Sequence, residues 1–538
     1  MIGVSSRRRP FLWRAAAVAA TLSLSSTGQA PVSAASAALT AAEVRAVISQ
    51  AAAEAQAAGL PSVIAVTDDE GVVIGLFRMA GAPANGTVIG VPRHGLEGKV
   101  FPAELLAATK AATETLLSSG GNAFSTRTAS FIVQDHTPPL VDFTPGGPLF
   151  GVQFSSLPCS DFRQAFLTAP VPNAGLAADP GGMPLYKDGA RVGGVGVEGD
   201  GVYGLDRDPA DRDQPLEERI AVAGTRGFEA PALVRGDNIV VDGVRLPYAY
   251  AVAEVVNTVA PVPGVDVIPP RDAPPTRFVP LVLGGVSGRT DPRYPIRSGA
   301  LLSGDDVAKI LAQGAQQTTV TRAAIRQPLG SNARVSLAVV DLNGDILGFF
   351  QNEDAPNFGQ DVSVQKARTA NFFSSPTARA ELQAAGLAAF LGDSSVPLDG
   401  SIAWSSRGIG FLAQPFFPPG INDTDPGPFS VSSSEWSPFN TGLQLELILT
   451  DLVNPGTCNR RIPKLRNGIT IFPGGVPLYK NGALAGAIGI SGDGVDQDDL
   501  IAAAGSAGFE APPEKRCDTL LVRGVRIPFQ KFPRHPDL

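Results

Sequence analysis

Pro180-Gly-Gly-Met-Pro-Leu-Tyr-Lys-Asp-Gly-Ala190 returns as Pro473-Gly-Gly-Val-Pro-Leu-Tyr-Lys-Asn-Gly-Ala483. The residues that follow repeat as well, Arg191-Val-Gly-Gly-Val-Gly-Val-Glu-Gly-Asp-Gly-Val202 against Leu484-Ala-Gly-Ala-Ile-Gly-Ile-Ser-Gly-Asp-Gly-Val495. In each copy Asp188-Gly189 or Asn481-Gly482 sits between apolar runs. That is a hairpin signal, because a type I′ turn needs positive φ at both central positions. Solenoid units run to roughly 20 to 50 residues, so a repeat this widely spaced implies two homologous domains in tandem.

Outward from the repeat, both copies follow one plan. Thr40-Ala-Ala-Glu43 has capping-box spacing and opens an amphipathic helix to Gly59, and Ser303 opens its counterpart to about Thr318. A hairpin follows in each: Ala65, Asp68, Gly71, Gly75 and Pro83 answer Ala338, Asp341, Gly344, Gly348 and Pro356 at a constant offset of 273. A second helix surrounds Lys110 or Lys366. A long Pro-rich insertion, the Pro-Gly-Gly hairpin and a closing helix at 216–223 or 498–504 complete the unit. Copy one carries 12 further residues, the acidic loop Tyr203 to Gln214. Helix, hairpin, helix, hairpin, helix predicts an α+β fold, each domain a mostly antiparallel sheet covered by helices. The expected boundaries are a leader at 1–37, domain 1 at 38–261, a Pro/Gly-rich linker at 262–300 and domain 2 at 301–538.

The start of the chain, with Arg7, Arg8, Arg9 and Arg14, an apolar run from Ala15 to Leu24 and small residues ending near Ala37, reads as a secretory signal peptide. Its apolar run is about half of the roughly 20 residues a spanning helix needs. Export to the periplasm or the exterior is therefore expected, with no transmembrane anchor. The net charge of −8 becomes more acidic once four arginines leave, which disfavours nucleic acid as a partner. Outside the cytosol cysteines tend to pair, and of Cys159, Cys458 and Cys517 the expected bridge is Cys458 with Cys517. Three histidines and no Cys-x-x-Cys-His argue against a zinc cluster and covalent c-type haem.

The opening helix with its Ala-Val-x-Asp-x-x-Gly hairpin, Lys366-Ala-Arg-Thr-Ala370, Pro-Gly-Gly-x-Pro-Leu and Gly486-Ala-Ile-Gly-Ile-Ser-Gly492 together resemble the GlcG/HbpS-like haem-binding (haem-degrading) domain family. The resemblance covers most of copy two and both ends of copy one. It implies an oligomeric α/β domain that in some members binds haem, here a fused pair able to assemble further.

Each motif has a second reading. Pro180-Gly181-Gly182 and Pro473-Gly474-Gly475 either form an amide nest for a carboxylate such as a haem propionate, or a tight turn needing positive φ. Lys110 and Lys366 are either snorkelling surface residues or pocket cations facing an acidic ligand. Haem iron needs an axial ligand. His94 and His136 are the candidates, with Met79, Tyr186 and Tyr479 behind them, and neither histidine is duplicated. Gly194-Val-Gly-Val-Glu-Gly199 lies within a strand, so close backbone packing explains it better than a dinucleotide. Asp206, Asp208, Asp211, Asp213 and Glu217 lack the central Gly of a calcium loop. Asp68 and Asp341 either cap the hairpin turn or serve acid-base chemistry. Three functions stay open: a haem or small acidic ligand binder, a structural or accessory interaction module, and an enzyme acting on a small acidic substrate through Lys366 and the Pro-Gly-Gly region.

Overall fold

The computed structural model describes residues 38–90, 95–155, 157, 159–163, 175–208, 211–253, 261–453 and 461–533. The expected leader, His94 and Cys458 lie outside the described residues.

Both copies fold as the repeat predicts. In the first half the opening helix is Ala41–Ala58, the hairpin Val63–Asp68 with Val73–Met79, and the lysine helix Ala103–Leu117. The second hairpin is Gly182–Lys187 with Ala190–Glu198, and the closing helix Leu216–Gly224. Their counterparts are Gly304–Thr318, Val335–Val340 with Ile346–Asn352, Gly359–Phe373, Gly475–Lys480 with Ala483–Gly492, and Val495–Gly505. In each half the first strand of hairpin one pairs antiparallel with the second strand of hairpin two, joining the hairpins into one sheet. Register irregularities recur at aligned places, Val66/Thr67 with Val339/Val340 and Leu185/Tyr186 with Leu478/Tyr479. Bulges that survive duplication at the same residue mark shared ancestry of geometry as well as of sequence.

The capping boxes form as spaced. The Thr40 hydroxyl accepts from Glu43 N and the Glu43 carboxylate from Thr40 N; Ser303 and Asp306 repeat the exchange. Gly59 ends the first helix at φ 70°. Asp68 accepts from the amides of Glu70 and Val72, and Asp341 from Asn343 and Asp345, so both aspartates cap their hairpin turns.

The segment expected to be a linker is part of both sheets. Gly264–Ile268 adds an edge strand beside Val73–Met79, and the hairpin Val279–Leu283 with Val286–Thr290 extends the second sheet beside Ile346–Asn352. Its prolines fall at strand ends and edges, where a missing N–H is tolerated. This segment joins the two halves. The insertions lock them together. Leu96 N donates to Phe439 O (3.1 Å), Gln153 Nε2 to Pro438 O (2.7 Å) and Gln444 Nε2 to Gly151 O (3.0 Å). The amide of Phe358, just ahead of one lysine helix, donates to Leu116 O at the end of the other (2.9 Å).

The lysine helices are deeply enclosed, every residue of Gly359–Phe373 being buried. Glycine makes that approach feasible. A Cβ at Gly194 would lie 2.3 Å from Ala111 O, at Gly196 2.2 Å from Ala107 O, and at Gly489 1.9 Å from Ser363 O. The Gly-x-Gly pattern is a groove for helix backbone, not a phosphate loop.

Candidate functional site

The lysine that each copy carries on its enclosed helix organises a buried cluster of charge in each half. Lys110 is fully buried, and its Nζ lies 2.5 Å from Asp179 Oδ2, 2.5 Å from Glu217 Oε2 and 3.0 Å from Glu198 Oε2. Asp179 precedes the Pro-Gly-Gly turn, Glu198 ends the second hairpin, and Glu217 opens the closing helix, where the helix dipole favours an acid. Backbone amides hold the outer oxygens: Gly204 N on Asp179 Oδ1 (2.8 Å), Gly199 and Asp200 N on Glu217 Oε1 (2.5 and 3.2 Å). The Tyr203 ring centre lies 5.8 Å from Nζ.

Three carboxylates surround one ammonium. Burial alone would lower the Lys110 pKa, but Asp179, Glu217 and Glu198 outweigh it and raise it well above the ordinary lysine value. Burial pushes Asp179 up to about 7 against the pull of Lys110, and raises Glu198 and Glu217. One oxygen from each acid lies within 4.8 Å of the others, a spacing that would suit a cation, and the space between them is filled by Nζ itself.

The second half has a leaner version. Lys366 Nζ donates to Asp498 Oδ2 (2.7 Å) and Ile490 O (2.8 Å) and sits 4.8 Å from the Phe472 ring centre. Asp498 aligns with Glu217, while Phe472 and Ser491 stand where copy one has Asp179 and Glu198. Burial lowers the Lys366 pKa despite Asp498, and lifts Asp498 to about 7. Next to each lysine an arginine repeats the theme. Arg127 binds Glu218, Asp206 and Asp213 (2.6, 2.5 and 2.9 Å), and Arg407 binds Asp499 and Asp496 (2.5 Å each). The acidic loop of copy one is thereby pinned by Arg127, with Glu217 on Lys110, rather than arranged around calcium.

These contacts revise the expected ligand site. Lys110 and Lys366 are neither snorkelling nor free to face a ligand, because buried partners consume them. The glycine amides are consumed too: Gly182 N donates to Thr126 Oγ1 (2.9 Å), Gly475 N to Ser406 Oγ (2.8 Å) and Gly474 N to Asp499 Oδ1 (2.8 Å). Gly181 and Gly474 have φ of 132° and 113°, so the turn reading describes them. The partners Asp179, Glu198, Glu217 and Asp498 were missed, although the duplicated acidic pair Glu217-Glu218 and Asp498-Asp499 was visible in the repeat.

The haem ligands fare similarly. His136 is buried, its Nδ1 2.9 Å from Thr144 O and its ring stacked on Phe416 at 5.5 Å. Met79 Sδ accepts from Ser62 N, and Tyr186 OH donates to the carbonyls of Ser119 and Asn122. The Tyr479 hydroxyl is buried in the core. A cavity of about 450 Å³ opens between the halves, lined by Gly120, Gly121, Arg326, Asn332, Arg334 and Glu353 among others, and no His, Met, Tyr or Cys lines it. His136, Met79 and Tyr186 are thus bonded elsewhere in the fold. The cysteine expectation is corrected as well. Cys517 is a free, buried thiol whose Sγ donates to Pro528 O (3.4 Å), and it is Cys159 that is disulfide-bonded.

One buried acid has no partner. Glu114, a turn after Lys110, is fully buried with neither oxygen hydrogen-bonded, and burial alone raises its pKa well above the ordinary value. Ala370 stands in its place in copy two. A raised folded-state pKa in an acid means that stability falls as pH climbs above the unfolded value of about 4.3. Glu114→Met is expected to stabilise the protein by about 1–3 kcal/mol at neutral pH, and to flatten this slope in denaturation series from acid to neutral pH. An unchanged slope would refute it.

Residues 442–507 match the family model described as haem degrading protein HbpS-like. No curated protein matches the chain. Among solved structures, a PduOC:heme complex is 21% identical, covering 36% of this chain and 97% of its own, at a TM-score of 0.22. Klebsiella pneumoniae protein ORFY is 20% identical (38% and 86% covered, TM-score 0.21), and HbpS 19% (37% and 96%, TM-score 0.18).

Proposed function

From the match of residues 442–507 to the HbpS-like family model, we propose that the protein is an exported binding protein for haem or a related small acidic ligand. The observation that carries the reading is the family match, which spans the second hairpin and the closing helix with Asp498. Export rests on the Arg-rich, then apolar, start of the chain, and the disulfide at Cys159 suits an oxidising compartment. No helix among the described residues is long and apolar enough to cross a membrane.

The enzymatic alternative loses its cation, since Lys366 is sealed against Asp498 and Ile490. The accessory alternative leaned on the long insertions as a partner surface. Those insertions meet each other inside the chain, His136 on Phe416 and Phe143 N on Asn422 Oδ1 (3.0 Å), which favours an internal role. The tandem copies resemble a fused pair of single-domain relatives, and further assembly of such pairs belongs to the same proposal.

A haemin titration of the leaderless protein, followed by Soret absorbance, tests the reading. Saturation at a fixed stoichiometry is expected, unchanged by His136→Ala because that ring is already stacked and bonded. His94→Ala in parallel asks whether the remaining candidate ligates. A spectrum equal to that of haemin with an unrelated acidic protein would overturn the proposal.

A further inference from the structure

Copy two carries an insertion that copy one lacks. Four residues, 59–62, separate the opening helix from the first strand in copy one, and sixteen, 319–334, do so in copy two. The extra residues wall the cavity between the halves. Gln327, in their middle, reaches copy one, its N donating to Gly121 O (2.8 Å) and its Nε2 to Asn238 O (3.0 Å).

The buried Arg326 frames this wall. Its Nε donates to Asp493 Oδ2 (2.6 Å), its Nη1 to Asp354 Oδ2 (2.6 Å) and its Nη2 to Asp354 O (2.7 Å). Asp354 Oδ1 accepts from Gly120 N of copy one (2.7 Å), and Asp493 Oδ2 also accepts from Arg334 N (2.9 Å). Arg326, Asp354 and Asp493 are thus committed to one another.

Two charges lining the same cavity are not. Arg334 precedes strand Val335–Val340 and Glu353 follows Ile346–Asn352, strands in which Ser336 faces Gln351, so the two stand together at the open end of that hairpin. Among the described residues neither side chain has a hydrogen-bond or ion-pair partner. The cavity they line holds about 450 Å³, within the roughly 300–1,000 Å³ of small-molecule sites, which gather where domains meet.

We propose that this cavity binds a small zwitterion, an amino acid or short peptide with free ends, whose carboxylate meets Arg334 and whose ammonium meets Glu353. An anion alone would satisfy the arginine but bring like charge toward Glu353 and Asp354, and a cation alone would do the reverse at Arg326 and Arg334. A ligand with both charges answers both. The planar fork of Arg334 takes a carboxylate through two parallel bonds, and the Glu353 carboxylate accepts from an ammonium. Copy one has no counterpart of the insertion, so one site per chain is expected. The inference does not rest on the haem reading.

Calorimetric titration of the full chain with L-alanyl-L-alanine tests it, since methyl side chains are the least able to clash. Saturation at one peptide per chain is expected. Amidating the peptide's carboxyl group or acetylating its amine should each weaken binding at least about tenfold. Arg334→Gln should weaken the free dipeptide by about as much and erase the penalty of amidation, and Glu353→Gln should erase that of acetylation. Neither side chain is bonded within the fold, so both variants should melt with the parent. Free L-alanine in parallel separates the two sources: saturation by it as well assigns the site to amino acids, and saturation by the dipeptide alone to peptides. Absence of saturable heat with either, blocked peptides that bind as well as the free one, or variants as tight as the parent would each overturn the proposal.

Discussion

Lys110→Met should leave the chain unable to hold its native state at neutral pH. The change removes the ammonium bonded to Asp179, Glu198 and Glu217, and three buried acids are left facing one another. Removing one partner of a buried pair costs about 3–5 kcal/mol, and here one removal strands three groups. The matching Lys366→Met, which strands Asp498 alone, is expected to cost about that single-pair amount. The sign with pH follows from the acids. Their folded-state pKa values are raised, Asp179 to about 7, so their unfavourable share grows as pH rises from the ordinary carboxylate range and shrinks as pH falls. The Lys110→Met defect should therefore ease toward about pH 5, between the ordinary and raised values. Adding Asp179→Phe and Glu198→Ser, the residues of copy two, should recover part of it. Thermal and denaturant midpoints over that pH range check the series, and a Lys110→Met protein as stable as the parent at neutral pH would refute the account.

Gly489→Ala is expected to be nearly as damaging for a reason that involves no charge. The new Cβ would lie 1.9 Å from Ser363 O and 2.6 Å from Ala367 N, both backbone atoms of the lysine helix, so no side chain can swing aside. Overpacking commonly costs about 1–3 kcal/mol, and displacing a whole helix belongs at or beyond the upper end. Gly482→Ala is the control. It has φ of 78° with nothing near its Cβ, so only the left-handed backbone opposes it, at a cost of roughly 1–2 kcal/mol. If both variants lost equal stability, helix approach would not be what the glycine serves.

Much of the fold was legible because it is local and written twice. Capping boxes, turn dipeptides and the constant hairpin spacing act over a few residues, and each appears in both copies with the same outcome. The glycine stripe was legible in copy one, where a strand-embedded Gly-x-Gly points to backbone packing; copy two keeps Gly489 with Ala487 at the first position. The site was not. Asp179, Glu198 and Glu217 reach Lys110 only once a turn, a hairpin and a helix have converged, and no spacing rule links those numbers. The ion pairs that cross between the halves lie still further apart, Asp161 with Arg368 and Arg163 with Asp361. One miss was avoidable: Gly284-Gly285 between Val279–Leu283 and Val286–Thr290 is a hairpin signal, obscured by the surrounding prolines.

That hairpin and its neighbour Gly264–Ile268 make the duplication hard to undo. A segment that supplies the outer strand of one sheet and then the outer pair of the next is owned by neither copy. Cutting it would leave two raw edges, each a template for pairing with foreign chains. Its length is constrained from both ends, so an inserted or deleted residue there shifts the register of one sheet or the other. Lineages carrying the fused gene can let the two halves diverge in charge, as Phe472 and Ser491 against Asp179 and Glu198 already show, but have lost the freedom to part them.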